Sequence, residues 1–144
     1  MIIQRPTYHG TVFSLTFATL AALVGIGCTK PQTMVSASDV PASQGTVKVT
    51  EGDNGNTNIA LRVKHLAPPS RMAADSTVYV VWLQPHDGAM QNIGALTLNS
   101  NLEGSLDTVT PHRRFQLTVT PEPSGLAAQP SHDPVFTTTV ERPD

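Results

Sequence analysis

Across residues 45–141 the apolar positions recur at every second residue, and clusters of Pro or Gly interrupt them at intervals of about ten to fifteen residues. A period of two is the repeat of a strand with one buried face; a helix would need apolar residues spaced at about 3.6. Val47 and Val49 alternate with Thr46, Lys48 and Thr50, and after the turn residues Gly52, Asp53, Asn54 and Gly55 the pattern resumes at Ile59, Leu61 and Val63. These two stretches read as a hairpin. Residues 77–83 (Thr-Val-Tyr-Val-Val-Trp-Leu) are apolar on both faces, which predicts a central strand covered on both sides, ended by the turn at Pro85, His86, Asp87 and Gly88. Four further strands are expected around Leu96 and Leu98, Leu102 and Leu106, Phe115 to Val119, and Phe136 to Val140. Seven short strands in about a hundred residues predict an all-β fold, a small immunoglobulin-like β-sandwich, without the Cys…Trp…Cys spacing of true immunoglobulin domains.

The N-terminus has a different composition. One positive charge, Arg5, precedes an apolar run over residues 12–26, and Gly27 sets a small residue before Cys28, the only cysteine. This is the anatomy of a signal peptide over residues 1–27. The run is shorter than the roughly 17–25 residues of a spanning helix and contains hydroxyl side chains, so a permanent transmembrane helix is disfavoured. Gly25-Ile26-Gly27-Cys28 resembles the lipobox of bacterial lipoproteins, in which the cysteine is acylated and becomes the new N-terminus. Gly25 stands where such boxes usually carry Leu. An ordinary secretory signal cut at Val35, Ser36 and Ala37 is the alternative, although those residues lie well past the apolar run. A single exported cysteine can form no internal disulfide, and acylation accounts for its presence and its place. Residues 28–44, rich in Pro, Ser, Ala and Thr and without periodicity, are expected to be the lipidated cysteine and a flexible tether, leaving a single domain over 45–144. Thr29 replaces the Asp that marks inner-membrane retention in many lipoproteins. The expected address is therefore the bacterial envelope, extracytoplasmic and membrane-anchored, at the outer membrane where two membranes exist.

Beyond the signal peptide there are eight basic and eleven acidic residues, and the basic ones are scattered. No nucleic-acid partner is expected from such a charge. The one adjacent pair, Arg113-Arg114, reads as a solubilised strand edge. That part of the chain holds four aromatic residues, Tyr79, Trp82, Phe115 and Phe136. Trp82 is the expected centre of packing, with a ligand-stacking platform as its alternative role.

Tyr79-Val80-Val81-Trp82-Leu83, then Ile93-Gly94-Ala95-Leu96, then the Phe115-x-Leu-x-Val119 strand running into Glu122-Pro123-Ser124-Gly125, and finally Pro130 and Pro134-Val135 resemble the extracytoplasmic C-terminal domain of anti-sigma-K factors. The resemblance covers residues 76–140 and marks Tyr79, Trp82, Leu83, Gly94, Phe115, Glu122, Pro123 and Gly125 as its motif and core positions. In that family a cytoplasmic helical domain binds the sigma factor and a transmembrane helix follows; this sequence contains neither. The resemblance therefore implies the outer module alone, held by lipid, with a signal-receiving, ligand-binding or scaffolding role, or a partnership with an anti-sigma system.

Catalytic motifs are not legible. Gly-x-Ser-x-Gly, Ser-x-x-Lys and glycine-rich phosphate loops do not occur. His86-Asp87 and His132-Asp133 sit in Pro-, Gly- and Ser-rich surroundings that read as turns. His65, His112, Met72 and Met90 could supply at most a weak copper site, since a blue-copper centre needs a cysteine and Cys28 belongs to the signal junction. No cofactor and no metal are expected, and neither is an enzyme, with a weak metal-binding envelope protein or a hydrolase as the competing class. Glu122 is the one acid whose local chain is fixed, because Pro121 and Pro123 flank it. It reads either as an acceptor for backbone donors of the following loop or as a ligand-contacting acid.

Overall fold

The computed structural model describes residues 30–36 and 42–143. Their strands are β1 (Gln32–Thr33), β2 (Val35–Ser36), β3 (Gln44–Glu51), β4 (Thr57–Lys64), β5 (Val78–Pro85), β6 (Gln91–Leu96), β7 (Gly104–Thr110), β8 (Arg114–Glu122) and β9 (Phe136–Glu141). One short helix, α1 (Pro69–Met72), lies between β4 and β5. Among the described residues no helix is long and apolar enough to cross a membrane. Two antiparallel sheets result, ordered β1-β3-β4-β7 and β2-β9-β8-β5-β6. The seven longer strands form a three-on-four sandwich in which the chain crosses between sheets after β4, β6 and β7, the connectivity of an immunoglobulin-like domain.

The expected hairpin is β3 and β4, paired from Gln44↔Lys64 to Glu51↔Thr57. Its turn needs two left-handed residues, supplied by Asn54 at φ 57° and Gly55 at φ 77°. Alternation then sorts the side chains. Val47, Ile59, Leu61 and Val63 of the first sheet meet Tyr79, Val81, Leu83, Phe115, Leu117 and Val119 of the second, all at most 2% exposed. The strand expected around Leu102 and Leu106 begins later, at Gly104. Asn99 Oδ1 accepts from the Asn101 and Glu103 amides, and this knot puts Leu102 at φ 60° in a turn. Leu98 likewise falls beyond the end of β6 and packs against the core from the connection.

β5 lies between β6 and β8 and is buried on both faces from Tyr79 to Leu83. The opposite sheet covers one face. The other is covered by the connection between β8 and β9, residues 123–135, and Trp82 lies on that side. Trp82 is thus fully buried yet outside the core between the sheets, where packing was expected to centre on it. A strand's period of two places residue 82 on the face opposite Val81 and Leu83.

The segment 28–44 is not a tether throughout. Gln32 pairs with Val47, Val35 pairs with Thr137, and between them Met34 is 3% exposed. The segment crosses from the edge of one sheet to the edge of the other. Gln32 secures it, since its amide nitrogen donates to Thr138 Oγ1 and to the Thr139 carbonyl at 2.9 Å each. Removing a buried methionine costs about 2–5 kcal/mol. A chain shortened to begin at Ala42 should lose stability of that order relative to one beginning at Lys30, as should Met34→Ala, in urea unfolding. Equal midpoints for all three would show that the seam contributes nothing.

Candidate functional site

β5 and β8 present Val80, Trp82, Thr118, Thr120 and Glu122 on the outer face of the five-stranded sheet, and the 123–135 connection folds back over them. A run of hydrogen bonds starts inside this layer. Trp82 Nε1 donates to Thr120 Oγ1 at 2.8 Å, and that hydroxyl donates to Glu122 Oε1 at 2.5 Å. The Ser131 amide lies 3.0 Å from Oε1 and 3.3 Å from Oε2, and the Ser131 hydroxyl donates to Oε2. One buried carboxylate therefore ties the end of β8 to a residue nine positions further on.

The run continues to the surface. His132 Nδ1 lies 3.0 Å from the Pro121 carbonyl and 3.1 Å from Ser131 Oγ. A carbonyl can only accept, so Nδ1 carries a ring proton. His132 Nε2 lies 3.1 Å from Asp75 Oδ1, which joins the connection to the segment before β5. On the other flank Asn92 Nδ2, on β6, donates to the Gly125 and Ala127 carbonyls at 3.0 Å each. Those carbonyls bracket Leu126, whose side chain is turned outward and is 93% exposed.

Glu122 is fully buried, and burial pushes its carboxyl pKa up; hydrogen bonds from Ser131 and Thr120, the Ser131 amide and neighbouring His132 outweigh this and hold it below the ordinary value. Its oxygens are occupied by the protein's own donors, so it has no lone pair facing an open cavity. Ser131 gives its proton to Glu122 and is not paired with a free base. The arrangement is chemically a clamp, and it performs the backbone-fixing role that was one of the two readings of Glu122.

The other marked positions divide between the two faces. Tyr79, Leu83 and Phe115 point into the core between the sheets. Tyr79 donates to the Ala67 carbonyl at 2.7 Å, and burial pushes its phenol up to about 12. Gly94, at φ 144°, is where β6 meets β7: a Cβ there would lie 2.9 Å from Leu106. Gly125 approaches Ala95, and the Pro123 carbonyl accepts from Thr77 Oγ1 at 2.9 Å. Trp82, Glu122, Pro123 and Gly125 thus converge at one corner. Cys28 lies outside the described residues. His86 and Asp87 are exposed on the turn after β5, with 3.8 Å between Nε2 and Oδ1. Among the described residues no three His, Cys, Asp or Glu side chains are grouped to hold a metal.

Thr120, Ser131, Asp75 and Asn92 were not singled out by sequence. Ser and Asn in turn-rich stretches carry no periodic signal, and the partners lie far apart in the chain, 57 residues in the case of Asp75 and His132. Beside the corner a cleft of about 250 Å³ is lined by Pro68, Pro69, Val78, Leu96, Leu98 and Leu102.

No protein-family model, no curated protein and no solved structure matches the chain.

The clamp predicts an order among variants. In Glu122→Gln the retained oxygen can serve Thr120 and the Ser131 amide while the new NH2 donates to Ser131 Oγ, whose hydroxyl can reverse. Glu122→Ala leaves those donors unpaired, at a cost of about 1–3 kcal/mol. Because the folded-state value is lowered, the carboxylate's contribution is fully present above about pH 4.5 and is lost as pH falls through the lower folded value. Denaturant unfolding should rank the parent above Gln and Gln above Ala at neutral pH, with the parent–Gln gap closing in acid. Three coincident curves would remove Glu122 from the clamp.

Proposed function

We propose that the protein is a membrane-anchored bacterial lipoprotein whose β-sandwich is an extracytoplasmic binding or scaffolding domain without catalytic activity. One observation carries the anchor. Cleavage before Cys28 would leave every described strand in place, because among the described residues Gln32 is the first paired in a sheet. Cleavage at the alternative site, residues 35–37, would remove β1 and buried Met34 and cut into β2. The fold therefore favours the lipobox cysteine as the processing point.

The binding role is supported by what the corner does with its polar groups. Glu122, Ser131 and His132 are engaged with one another and with the chain, which holds the 123–135 connection in one shape and turns Leu126 out to solvent. A fixed surface with an adjoining cleft, mostly apolar but also lined by Thr77, Thr97 and Asn99, suits recognition of another molecule. The resemblance to the outer domain of anti-sigma-K factors makes envelope or sigma-factor signalling the setting we propose, with an envelope protein or a small ligand as partner.

Two or three acyl chains would hold the protein on a membrane with little exchange, since each buried methylene contributes about 0.8 kcal/mol. Labelled palmitate should enter the protein in a bacterial host, and Cys28→Ser should abolish both the labelling and sedimentation with membranes. Labelling that survives in Cys28→Ser, or none in the parent, would contradict the anchor.

A further inference from the structure

β1 runs antiparallel to β3, with Gln32 opposite Val47, Thr33 opposite Thr46, and the Met34 amide donating to the Gly45 carbonyl. Going backwards from Gln32, the chain therefore heads toward the Glu51 end of β3. Lys30, the first described residue, is two residues from Cys28, a reach of at most about 7 Å.

The sandwich has two unlike ends. At the Glu51 end lie the 52–56 turn, the turn after Pro85, the 111–113 connection and the C-terminal end of β9, as the pairs Glu51↔Thr57, Thr57↔Thr110, Pro85↔Phe115 and Arg114↔Glu141 require. At the other end lie α1, the 97–103 connection and the 123–135 connection with its clamp. Strands of eight residues separate the two ends by about 25 Å.

We infer that the sandwich stands end-on at the lipid surface, with the 52–56, 86–88 and 111–113 turns toward the headgroups and the clamped 123–135 connection held away from them. The inference rests on the lipid-anchor reading for Cys28 and adds to it which surface meets lipid and which is offered to partners. The short link from Cys28 to the edge strand sets this orientation. Charge does not, because acidic and basic groups are mixed at the lipid-side end: Arg114 pairs with Glu141 at 2.7 Å, Arg142 lies 3.4 Å from Glu51, and Asp53, Asp87 and Arg113 stand nearby. A consequence is that Leu126 and the Pro68–Leu102 cleft both face away from the membrane.

The test uses the full-length protein purified from membranes and placed in phosphatidylethanolamine–phosphatidylglycerol vesicles that carry a small fraction of lipid with a fluorescent acceptor on its headgroup. An acylated Cys28 leaves single introduced cysteines as the only reactive thiols. Donor dyes go on Asp53→Cys and Asp87→Cys at one end and on Ser100→Cys and Leu126→Cys at the other, all exposed positions. Energy transfer to the lipid should be several-fold stronger from 53 and 87 than from 100 and 126, and the order should survive added salt. Equal transfer from all four positions would mean that the domain lies flat along its β1–β2 edge, where Val35 is 73% exposed, and would overturn the orientation alone. A reversed order, or one abolished by salt, would overturn it too. Protein that fails to float with the vesicles would defeat the anchor reading and the orientation with it.

Discussion

The fold turns on a carboxylate buried in the outer face of a sheet. Glu122 accepts from Thr120 and from the amide and hydroxyl of Ser131, and so holds a Pro- and Ser-rich connection against β5 and β8. An ion with these donors removed would be costly to bury; with them it is stable enough to lower its own pKa. The cover it secures is what lets Trp82 and Val80 be fully buried on the face that points away from the other sheet. Without the cover, β5 would expose its largest side chain to water. The small aromatic content of the domain is thereby spread over two layers, one between the sheets and one beneath the connection.

Much of the framework was legible because alternation is a local signal. The β3–β4 hairpin, its turn, the doubly covered β5 and the all-β sandwich follow from side chains two residues apart. Alternation assigns faces, however, and does not say what covers the second one. That is why Trp82 reads as the middle of the core when it packs under residues 123–135. Met34 shows the same limit in another form: two-residue strands are too short for any periodicity, and the adjacent apolar pair Met34 and Val35 does not tell which of the two is buried or that the segment seams two sheets. At the corner itself, Glu122 was legible through its flanking prolines, while Ser131, Asn92 and Asp75 were not, since hydrogen-bond partners brought together by folding leave no spacing in the chain.

The clamp also bears on what the domain is for. A carboxylate, a hydroxyl and an imidazole within hydrogen-bond distance invite a catalytic reading, but the proton positions that the acceptors dictate direct the Ser131 hydroxyl to Glu122 and one ring nitrogen of His132 to the Pro121 carbonyl. These groups hold a surface in shape. In the proposed lipoprotein that surface lies at the end of the sandwich opposite the approach of the chain from Cys28, so that the end we propose for recognition and the tethered end are separated by the length of the strands.

The central claim is that the 123–135 connection belongs to the folded core through Glu122, and amide hydrogen exchange at Ser131 tests it most directly. With the amide shared between the two carboxylate oxygens, its exchange at neutral pH should be slowed to within about tenfold of the central β8 amides, because both would open only with the sheet. Exchange at the rate of an unprotected loop while β8 stays protected would contradict the account.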